Sequence, residues 1–322
     1  MDYTTLGRTG LKASVAGLGC GGNARLGLQS GKSEAEAVAL IQRALDLGVN
    51  VLDGAAAYKT EHVVGRAVKG RNRDKLILTT KASPRADGKL RPAQELVDSL
   101  DNTLRTMGQD YVDVFFFHGV PPDLYPKVRD ELAPVLMRER EKGKFRFIGV
   151  TETPPNDPIQ AMSSQAAQDG IWDIIMMGFH MLNQKPRERL LPHVIKNNLG
   201  TLVMFVVRNI FSAPGRLQLE IKRKVDDGTL PDWLAKEKDP LSFLIHESGA
   251  QTLIDAAYRY ARHEPGCNVI LFGTSNIDHV QQNIESILRP PLPEADRQRL
   301  NELFGKAEGM GLDVPDRNQS IG

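Results

Sequence analysis

The sequence predicts an α/β fold, a (β/α)8 TIM barrel with an N-terminal β-hairpin and a long loop after strand seven. Short runs of apolar and β-branched residues alternate with amphipathic segments along the 322 residues, as strands and helices alternate in parallel sheets. No linker or low-complexity segment interrupts this pattern, so we expect one domain over residues 1–322. Eight strands are counted, near Val15, Val51, Leu76, Val112, Phe145, Trp172, Thr201 and Asn268.

The predicted hairpin precedes the first strand–helix unit. Residues 3–6 and 11–15 flank a Gly-Arg-Thr-Gly turn, which is typical of a hairpin connection, and we expect the hairpin to close one end of the barrel. The next strand leads into Gly19, Cys20 and Gly21, where small residues let a backbone approach a ligand closely. This turn is not the GxGxxG fingerprint of a Rossmann domain.

Amphipathic segments between the strands predict the helices. Ser33 and Glu36 have the spacing of a capping box, ahead of a helix that ends before Gly48. Pro134 predicts a kink or a later helix start in its segment. The other helices are predicted at residues 61–68, 92–107, 125–142, 159–169, 186–198, 250–262 and 276–288, followed by a docking helix around Leu300 and a poorly ordered tail, 310–322.

One connection exceeds ordinary loop length. Residues 208–249 join strand seven to its helix and contain Pro214, Pro231 and Pro240. Loops this long in compact domains are usually functional or disordered. At the catalytic end of a barrel, we expect a lid.

Four polar residues stand at or near the ends of successive strands. Asp53 ends one strand and Tyr58 lies on the loop after it, while Lys81 and His118 end the next two. Taken singly, the acid is more often a helix cap, the lysine solvated and the histidine a core residue. Taken together, parallel strands would bring all four to the carboxyl end of the barrel, where such folds carry their chemistry.

The composition limits the classes of function. Lys+Arg number 41 and Asp+Glu 40, and no basic run with interleaved aromatics indicates a nucleic-acid partner. No apolar run is long enough for a membrane, and the first ten residues lack the plan of a signal peptide, so we expect a cytoplasmic protein. Cys20 and Cys267 are too few for a disulfide framework and lack metal-ligand spacing. The oligomeric state stays open.

Six segments, in order along the chain, resemble the aldo-keto reductase superfamily. They are YTTLGRTGLKASVAGLG, NVLDGAAAYKTEHVVG, ILTTKAS, YVDVFFFHG, FRFIGVTE and ILFGTSNIDHVQQN. The resemblance implies a barrel that binds a nicotinamide cofactor without a Rossmann domain and acts on a small-molecule carbonyl substrate. It also implies a catalytic tetrad, which falls on Asp53, Tyr58, Lys81 and His118.

The chemistry of carbonyl reduction gives this tetrad sensible roles. A carbonyl oxygen that gains charge needs a proton, and Tyr58 is the expected acid. Lys81 would favour the phenolate of Tyr58, and Asp53 would hold and neutralise Lys81. His118 would either orient the carbonyl oxygen or assist proton transfer, and the sequence leaves both roles open.

The resemblance also implies cofactor contacts. Thr151 and Glu152 stand where the family commonly has Ser-Asn, and a usual glutamine of strand six aligns with Met176. Phe205 would stack on the nicotinamide, with core packing as the alternative, and Val206 and Arg208 follow it. The region that reads the adenosine end would use Gly273, Thr274, Ser275, His279, Gln282 and Asn283.

NADPH is the cofactor expected from the family, with NADH as the alternative, because no lysine or arginine stands between Gly273 and Asn283. Two other functions stay open. A barrel of this kind would also serve as a redox sensor or scaffold subunit that keeps the cofactor, and turnover of a generic aldehyde distinguishes the two. A metal-dependent hydrolase or lyase is disfavoured, because no His-x-His pair occurs in the sequence.

Overall fold

The computed structural model describes residues 1–22 and 25–312. Most of its strands are short, and their bounds agree with the predicted positions to within a few residues. In chain order they are β1 (Tyr3–Thr5), β2 (Lys12–Ser14), β3 (Ala16–Gly19), β4 (Val51–Asp53), β5 (Ile77–Ala82), β6 (Arg85–Ala86), β7 (Lys89–Leu90), β8 (Val112–Phe117), β9 (Phe145–Thr151), β10 (Ile174–Gly178), β11 (Gly200–Met204) and β12 (Val269–Phe272).

Eight of these strands close into a parallel barrel. They pair in the order β3, β4, β5, β8, β9, β10, β11 and β12, and β12 returns to β3. The pairs β1–β2 and β6–β7 are separate antiparallel ribbons, of which only β1–β2 was predicted. The predicted barrel and its amino-terminal hairpin are therefore confirmed.

The hairpin closes the amino-terminal end of the barrel. Leu6, Leu11 and Ala13 are buried in one cluster with side chains that fill the barrel interior. Its turn packs closely against the chain entering β11, because the Arg8 N–H donates to the carbonyl of Asn198 at 2.6 Å. Burial of apolar side chains, each contributing about 1.5–3 kcal/mol, accounts for the docking of this hairpin.

Alternate residues of each barrel strand face opposite sides. The interior is filled by one cluster, and the side chains between its members point outward against the helices. This alternation decides which polar residues at the strand ends face the mouth of the barrel. The interior positions contributed by the strands are Val51, Ile77, Val114, Phe116, Ile174, Met176, Leu202 and Val269.

The helices cover the outside of the barrel. The predicted capping box is present, since the Ser33 hydroxyl accepts from the N–H of Glu36 and the Glu36 carboxylate accepts from the N–H of Ser33. In chain order the helices are α1 (Glu34–Asp46), α2 (Glu61–Val68), α3 (Ala93–Met107), α4 (Tyr125–Lys127), α5 (Ala133–Glu141), α6 (Ala161–Ala166), α7 (Pro186–Arg189), α8 (Leu191–Lys196), α9 (Asn209–Ser212), α10 (Arg216–Asp226), α11 (Leu253–Arg262), α12 (Ile277–Leu288) and α13 (Glu294–Phe304).

Prolines divide two of the predicted helices. Between α4 and α5 lies a π-helical turn, Val128–Leu132, in which the Ala133 N–H bonds to the carbonyl of Val128 just before Pro134. The segment predicted at 186–198 is split into α7 and α8, because Pro192 has no N–H to continue the ladder. The kink predicted at Pro134 is therefore observed as a wider helical turn.

The long connection after β11 contains α9, α10 and two 3-10 turns, Asp232–Lys236 and Ser242–Leu244. Its apolar residues Leu217, Ile221, Leu234 and Leu241 are buried. The connection is therefore a packed helical insertion, whose secondary structure the sequence reasoning did not predict.

The carboxyl-terminal prediction is only partly covered by the structure. Met310 and Leu312 are buried, which differs from the poorly ordered tail expected from residue 310 onward. Residues 313–322 lie outside the described residues. Within the described ranges, no helix is both long and apolar enough to cross a membrane.

Two glycines of the hairpin turn give a matched test of its docking. Gly7 (φ 50°) and Gly10 (φ 70°) both adopt left-handed backbone, but a Cβ at Gly7 would lie 2.2 Å from the backbone nitrogen of Gly200, whereas a Cβ at Gly10 meets open space. Gly10→Ala should lower the free energy of unfolding by about 1–2 kcal/mol for the backbone alone. Gly7→Ala should cost at least about 2 kcal/mol more, because packed backbone must move. Urea denaturation of both variants measures this, and equal losses would contradict the close packing.

Candidate active site

Asp53, Lys81 and His118 belong to one face of three neighbouring strands. β4 pairs with β5 and β5 with β8, all in parallel. Because alternate residues of a strand share a face, the interior face continues along each strand toward its carboxyl end. On β4 the interior positions are Val51 and Asp53, and on β5 they are Ile77, Thr79 and Lys81. On β8 they are Val114 and Phe116, and His118 continues the same face just after the strand. Lys81 lies within β5, one residue before the strand ends. Its side chain therefore points inward because alternate residues of a strand share a face, and not because the strand ends there.

Lys81 and Asp53 form a buried ion pair. The Lys81 Nζ lies 2.7 Å from both carboxylate oxygens of Asp53 and also donates to the carbonyl of Gly54 at 2.8 Å. The Thr79 hydroxyl donates to Asp53 Oδ1 at 2.7 Å. Burial by itself lowers the pKa of Lys81, but the charge of Asp53 and the hydrogen bonds outweigh it and raise that pKa. The lysine is therefore a fixed cation in the floor of the barrel mouth.

Tyr58 lies above this pair. It ends a 3-10 turn, Ala56–Tyr58, that follows β4, and the Lys81 Nζ is 5.0 Å from the centroid of its ring. Gly21 provides room for the ring, because a Cβ there would lie 2.4 Å from Tyr58 Cε2. Burial raises the pKa of Tyr58, and Lys81 lowers it by less. The predicted influence of Lys81 has the expected direction, but the phenol stays protonated in this environment.

His118 packs edge-on against Tyr58, with ring centroids 5.6 Å apart. Its backbone N–H donates to the carbonyl of Ala82, which fixes the chain where it leaves β8. Burial and the positive charge of Lys81 lower the pKa of His118 to about 3. The imidazole is therefore neutral near pH 7 and able to donate or accept a hydrogen bond, but it is a poor acid.

The glycine turn after β3 provides space more than side-chain contacts. Gly19 and Gly21 border the mouth, and the side chain of Cys20 is fully buried in the cluster between barrel and helices. The backbone of Cys20 is already paired, since its N–H donates to the carbonyl of Asp53 and its carbonyl accepts from the Thr60 hydroxyl. Burial raises the pKa of its thiol. Cys20 therefore faces away from the mouth.

Thr151 ends β9 and Glu152 follows it; both are buried and hold neighbouring segments. The Thr151 hydroxyl accepts from the N–H of Gly119 at 2.7 Å. Glu152 accepts from the N–H of Gly178 at 2.5 Å and from the Ser163 hydroxyl at 2.8 Å. Burial raises the pKa of Glu152 to about 7, although both hydrogen bonds lower it. Both carboxylate oxygens of Glu152 are thus engaged with the protein itself.

Phe205 follows β11 and borders a narrow slot. A Cβ at Gly178 would lie 3.1 Å from Pro154 Cγ and 3.3 Å from Phe205 Cδ2, so the glycine keeps space open between these two rings. The Arg208 guanidinium stacks on the Phe205 ring, 4.1 Å from its centroid. The aromatic face of Phe205 is a surface on which a flat ring such as the expected nicotinamide can stack. Met176 and Val206 are buried, Met176 in the barrel interior and Val206 in the outer cluster.

The predicted adenosine-end residues surround the start of α12. A Cβ at Gly273 would lie 3.8 Å from the carbonyl oxygen of Gly19, an ordinary contact, and the Thr274 hydroxyl is hydrogen-bonded to the backbone of Asn276, which caps the helix. His279 and Gln282 are exposed, while Ser275 and Asn283 are partly buried. This group lies after β12 and is separate in sequence from the tetrad.

Sequence reasoning missed three groups near the site. Thr79 hydrogen-bonds Asp53, and its position two residues before Lys81 was the available signal, because residues two apart share a strand face. Thr153 follows Glu152, and its buried hydroxyl has no hydrogen-bond partner within the described ranges. Arg43 comes from α1 and donates to Gln281 at 2.6 Å, which brings a cation beside α12.

The described ranges contain no candidate metal site. There, no group of three or more His, Cys, Asp or Glu residues is arranged to hold a metal ion.

Comparisons of the sequence and of the structure with known proteins agree on one family. The model of the aldo/keto reductase family matches residues 17–304. The chain is 25% identical to L-galactose dehydrogenase of Arabidopsis thaliana, covering 94% of this chain and 93% of that protein. It is 28% identical to aldo-keto reductase YhdN of Bacillus subtilis, covering 85% of each. The holo form of aldo-keto reductase AKR11C1 from Bacillus halodurans has a similar structure, with a TM-score of 0.70, 22% identity, and coverage of 98% and 99%.

The buried carboxyl of Glu152 makes a pH-dependent contribution to stability. Its pKa is raised from 4.5 to about 7 in the folded protein, so the contribution is full below about pH 4.5 and is lost as pH rises through 7. In Glu152→Gln, the amide oxygen accepts from Gly178 and the amide nitrogen donates to Ser163. Between pH 5 and 8, the free energy of unfolding of this variant should therefore rise relative to wild type, by up to about 3 kcal/mol.

Urea denaturation at several pH values measures this difference. Glu247→Gln, which removes an exposed carboxyl by the same substitution, is the matched control. A difference between wild type and Glu152→Gln that stays constant with pH would contradict the burial argument.

Proposed function

Because the chain belongs to the aldo/keto reductase family, we propose that this oxidoreductase interconverts aldehydes or ketones and alcohols, using NAD(P)H, with Tyr58 as general acid or base. The observation that carries the proposal is the buried Lys81–Asp53 pair beneath Tyr58, with His118 against the same phenol ring. We further propose that residues 1–322 act as one domain of this family.

The nicotinamide cofactor would supply or accept the hydride at the substrate carbon. Tyr58 then transfers the proton at the substrate oxygen, because its phenol is protonated before reaction. Lys81 stabilises the phenolate that remains, since a fixed ammonium lies beneath the ring. Asp53 keeps that ammonium charged and positioned.

His118 orients the substrate oxygen in this scheme. Its pKa of about 3 leaves the imidazole neutral, so donating a hydrogen bond to the carbonyl oxygen is favoured over supplying a proton. This assignment gives the acid role to Tyr58 alone.

The residues around the slot fit a nicotinamide ring. Phe205 provides an aromatic surface, and Gly178 leaves the space beside it open. The buried Thr153 hydroxyl lacks a partner in the described ranges and would serve the carboxamide, while Glu152 braces the slot through Gly178. The backbone near Gly273, with Ser275 at the start of α12, would hold the cofactor phosphates.

A cofactor-binding redox sensor or scaffold subunit remains the alternative function. Such a protein would bind the cofactor through the same slot but turn over slowly or not at all. The distinguishing measurement is the rate with a reactive aldehyde.

Tyr58→Phe tests the proton-transfer role. The substitution removes one oxygen while the ring contacts with Gly21 and His118 stay, so cofactor affinity should be kept. The turnover number should fall by about a hundred- to ten-thousand-fold, as for loss of a general acid. Tyr111→Phe makes the same chemical change outside the mouth, where the ring packs on Arg73, and should keep activity. Near-normal turnover in Tyr58→Phe would move the acid to His118.

Cofactor preference tests the assignment of the α12 region. With no lysine or arginine between Gly273 and Asn283, NADPH should bind no more than about tenfold tighter than NADH. Ser275→Ala should weaken NADPH binding about tenfold or more, the effect of one lost hydrogen bond to a charged phosphate. Fluorescence titration measures both dissociation constants. A much larger NADPH preference that is lost in Arg43→Gln would instead assign the 2′-phosphate contact to α1.

A further inference from the structure

Thr79 is a buried polar residue beside Asp53, and the proposed mechanism gives it no role. It lies on β5 in register with Asp53 of β4 and shares the interior face with Lys81, two residues further on. Its hydroxyl donates to Asp53 Oδ1 at 2.7 Å. Its backbone carbonyl accepts from the N–H of Gly54 at 3.0 Å. Thr79 therefore holds both the carboxylate and the residue that follows it.

The hydroxyl of Thr79 and the ammonium of Lys81 share one carboxylate oxygen. Asp53 Oδ1 accepts from the Thr79 hydroxyl and from Lys81 Nζ, each at 2.7 Å. A hydrogen bond to a carboxylate stabilises its charged form and disperses part of its negative charge onto the donor. Asp53 therefore offsets less of the ammonium charge than it would without Thr79.

The charges of the Lys81–Asp53 pair act on Tyr58, whose ring centroid lies 5.0 Å from Lys81 Nζ. Burial raises the pKa of Tyr58, Lys81 lowers it and Asp53 raises it. Two other titratable groups face the phenol, Cys20 and His118, and both are neutral near pH 7. Burial raises the pKa of the thiol, and burial with the charge of Lys81 lowers that of the imidazole to about 3. A change in the balance of the ion pair therefore reaches Tyr58.

We propose that Thr79 is a positioning residue for the proton transfer at Tyr58. Its hydroxyl fixes the carboxylate of Asp53 and disperses the charge of that group, which leaves more of the Lys81 charge to stabilise the phenolate. The inference rests on the proposed function, in which Tyr58 carries the proton, and it adds a residue outside the tetrad. A purely structural hydroxyl would stabilise the strand pair without changing the pH at which Tyr58 ionises.

The first test measures the ionisation of Tyr58 without any turnover. The full chain is labelled with 3-fluorotyrosine, a stronger acid than tyrosine, and the fluorine NMR signal of Tyr58 is identified by its absence in Tyr58→Phe. Thr79→Val removes the hydroxyl and keeps a branched side chain. It should raise the midpoint of the Tyr58 titration by about 0.5–1 pH unit, a fraction of the shift that a full neighbouring charge produces. Thr79→Ser keeps the hydroxyl and should restore the wild-type midpoint.

Thr80→Val is the matched control. Thr80 is the next residue of β5 and is equally buried, but its hydroxyl donates to Glu61 Oε1 at 3.3 Å on the opposite face of the strand. This substitution makes the same chemical change and should leave the Tyr58 midpoint where it is in wild type. Thr79→Ala removes the hydroxyl and needs no added space, so it should also raise the midpoint and takes the place of Thr79→Val if that chain does not fold.

The second measurement is the pH profile of benzyl alcohol oxidation with NADP⁺, because oxidation needs the Tyr58 phenolate as the base. In Thr79→Val the rising limb of kcat should move to higher pH, in the same direction as the NMR midpoint. The affinity for NADPH, measured by fluorescence, should stay unchanged.

The remaining outcomes overturn one idea or the other. Equal Tyr58 midpoints in wild type and Thr79→Val, a downward shift, or the same shift in Thr80→Val would overturn the role of Thr79. Turnover without a shifted midpoint leaves the proposed function standing and removes this inference. A shifted midpoint without turnover of alcohol or aldehyde by any of the proteins supports the link from Thr79 to Tyr58 and removes the proposed function. A shifted midpoint with an unshifted limb of kcat would overturn Tyr58 as the base.

Discussion

The buried Lys81–Asp53 ion pair is the interaction on which the mouth of the barrel depends. Removing two charges from water costs several kcal/mol each, and only close geometry with further hydrogen bonds offsets that cost. Here the ammonium has both carboxylate oxygens and a backbone carbonyl, and the carboxylate has the Thr79 hydroxyl in addition. The resulting cation favours the deprotonated form of both neighbours, since it stabilises the Tyr58 phenolate and disfavours the His118 imidazolium. In the proposed mechanism, this one charge would stabilise the phenolate left by proton transfer and keep His118 a neutral hydrogen-bonding group.

The barrel makes this arrangement rigid, and one loop completes it. Three of the four tetrad residues occupy alternating interior positions of paired strands, or follow directly from them, and a closed sheet has no edge at which these strands can slide. Tyr58 alone lies on a turn, where the missing side chain of Gly21 gives its ring space. Fixed dipoles and charges need no reorganisation during reaction, so in the proposed mechanism the strands would supply the electrostatics and the turn would position the transferable proton.

The sequence predicted what local patterns encode. Repeated strand–helix alternation predicted the barrel, and the positions of Asp53, Lys81 and His118 at apparent strand ends predicted that they converge. The structure shows that two-residue periodicity places them on one face, because β5 continues one residue past Lys81. Long-range partners were not predictable. Glu152 pairs with Ser163 and with Gly178 on the next strand, and nothing near Glu152 in the sequence indicates either contact. Helix α10 was not predicted from the sequence, because the prolines on either side of it are typical of a loop. Its residues Leu217 and Ile221 nevertheless have helical spacing.

Phe205 links the ring slot to the helical insertion. It adopts φ 64°, a left-handed backbone that costs a non-glycine residue about 1–3 kcal/mol and persists only when its surroundings hold it. The turn that results brings Arg208 back over the Phe205 ring, and a cation stacked on an aromatic face contributes about 0.5–2 kcal/mol. Arg208 also borders a small cleft beside α10. The same backbone turn therefore joins the Phe205 ring to the helical insertion through Arg208.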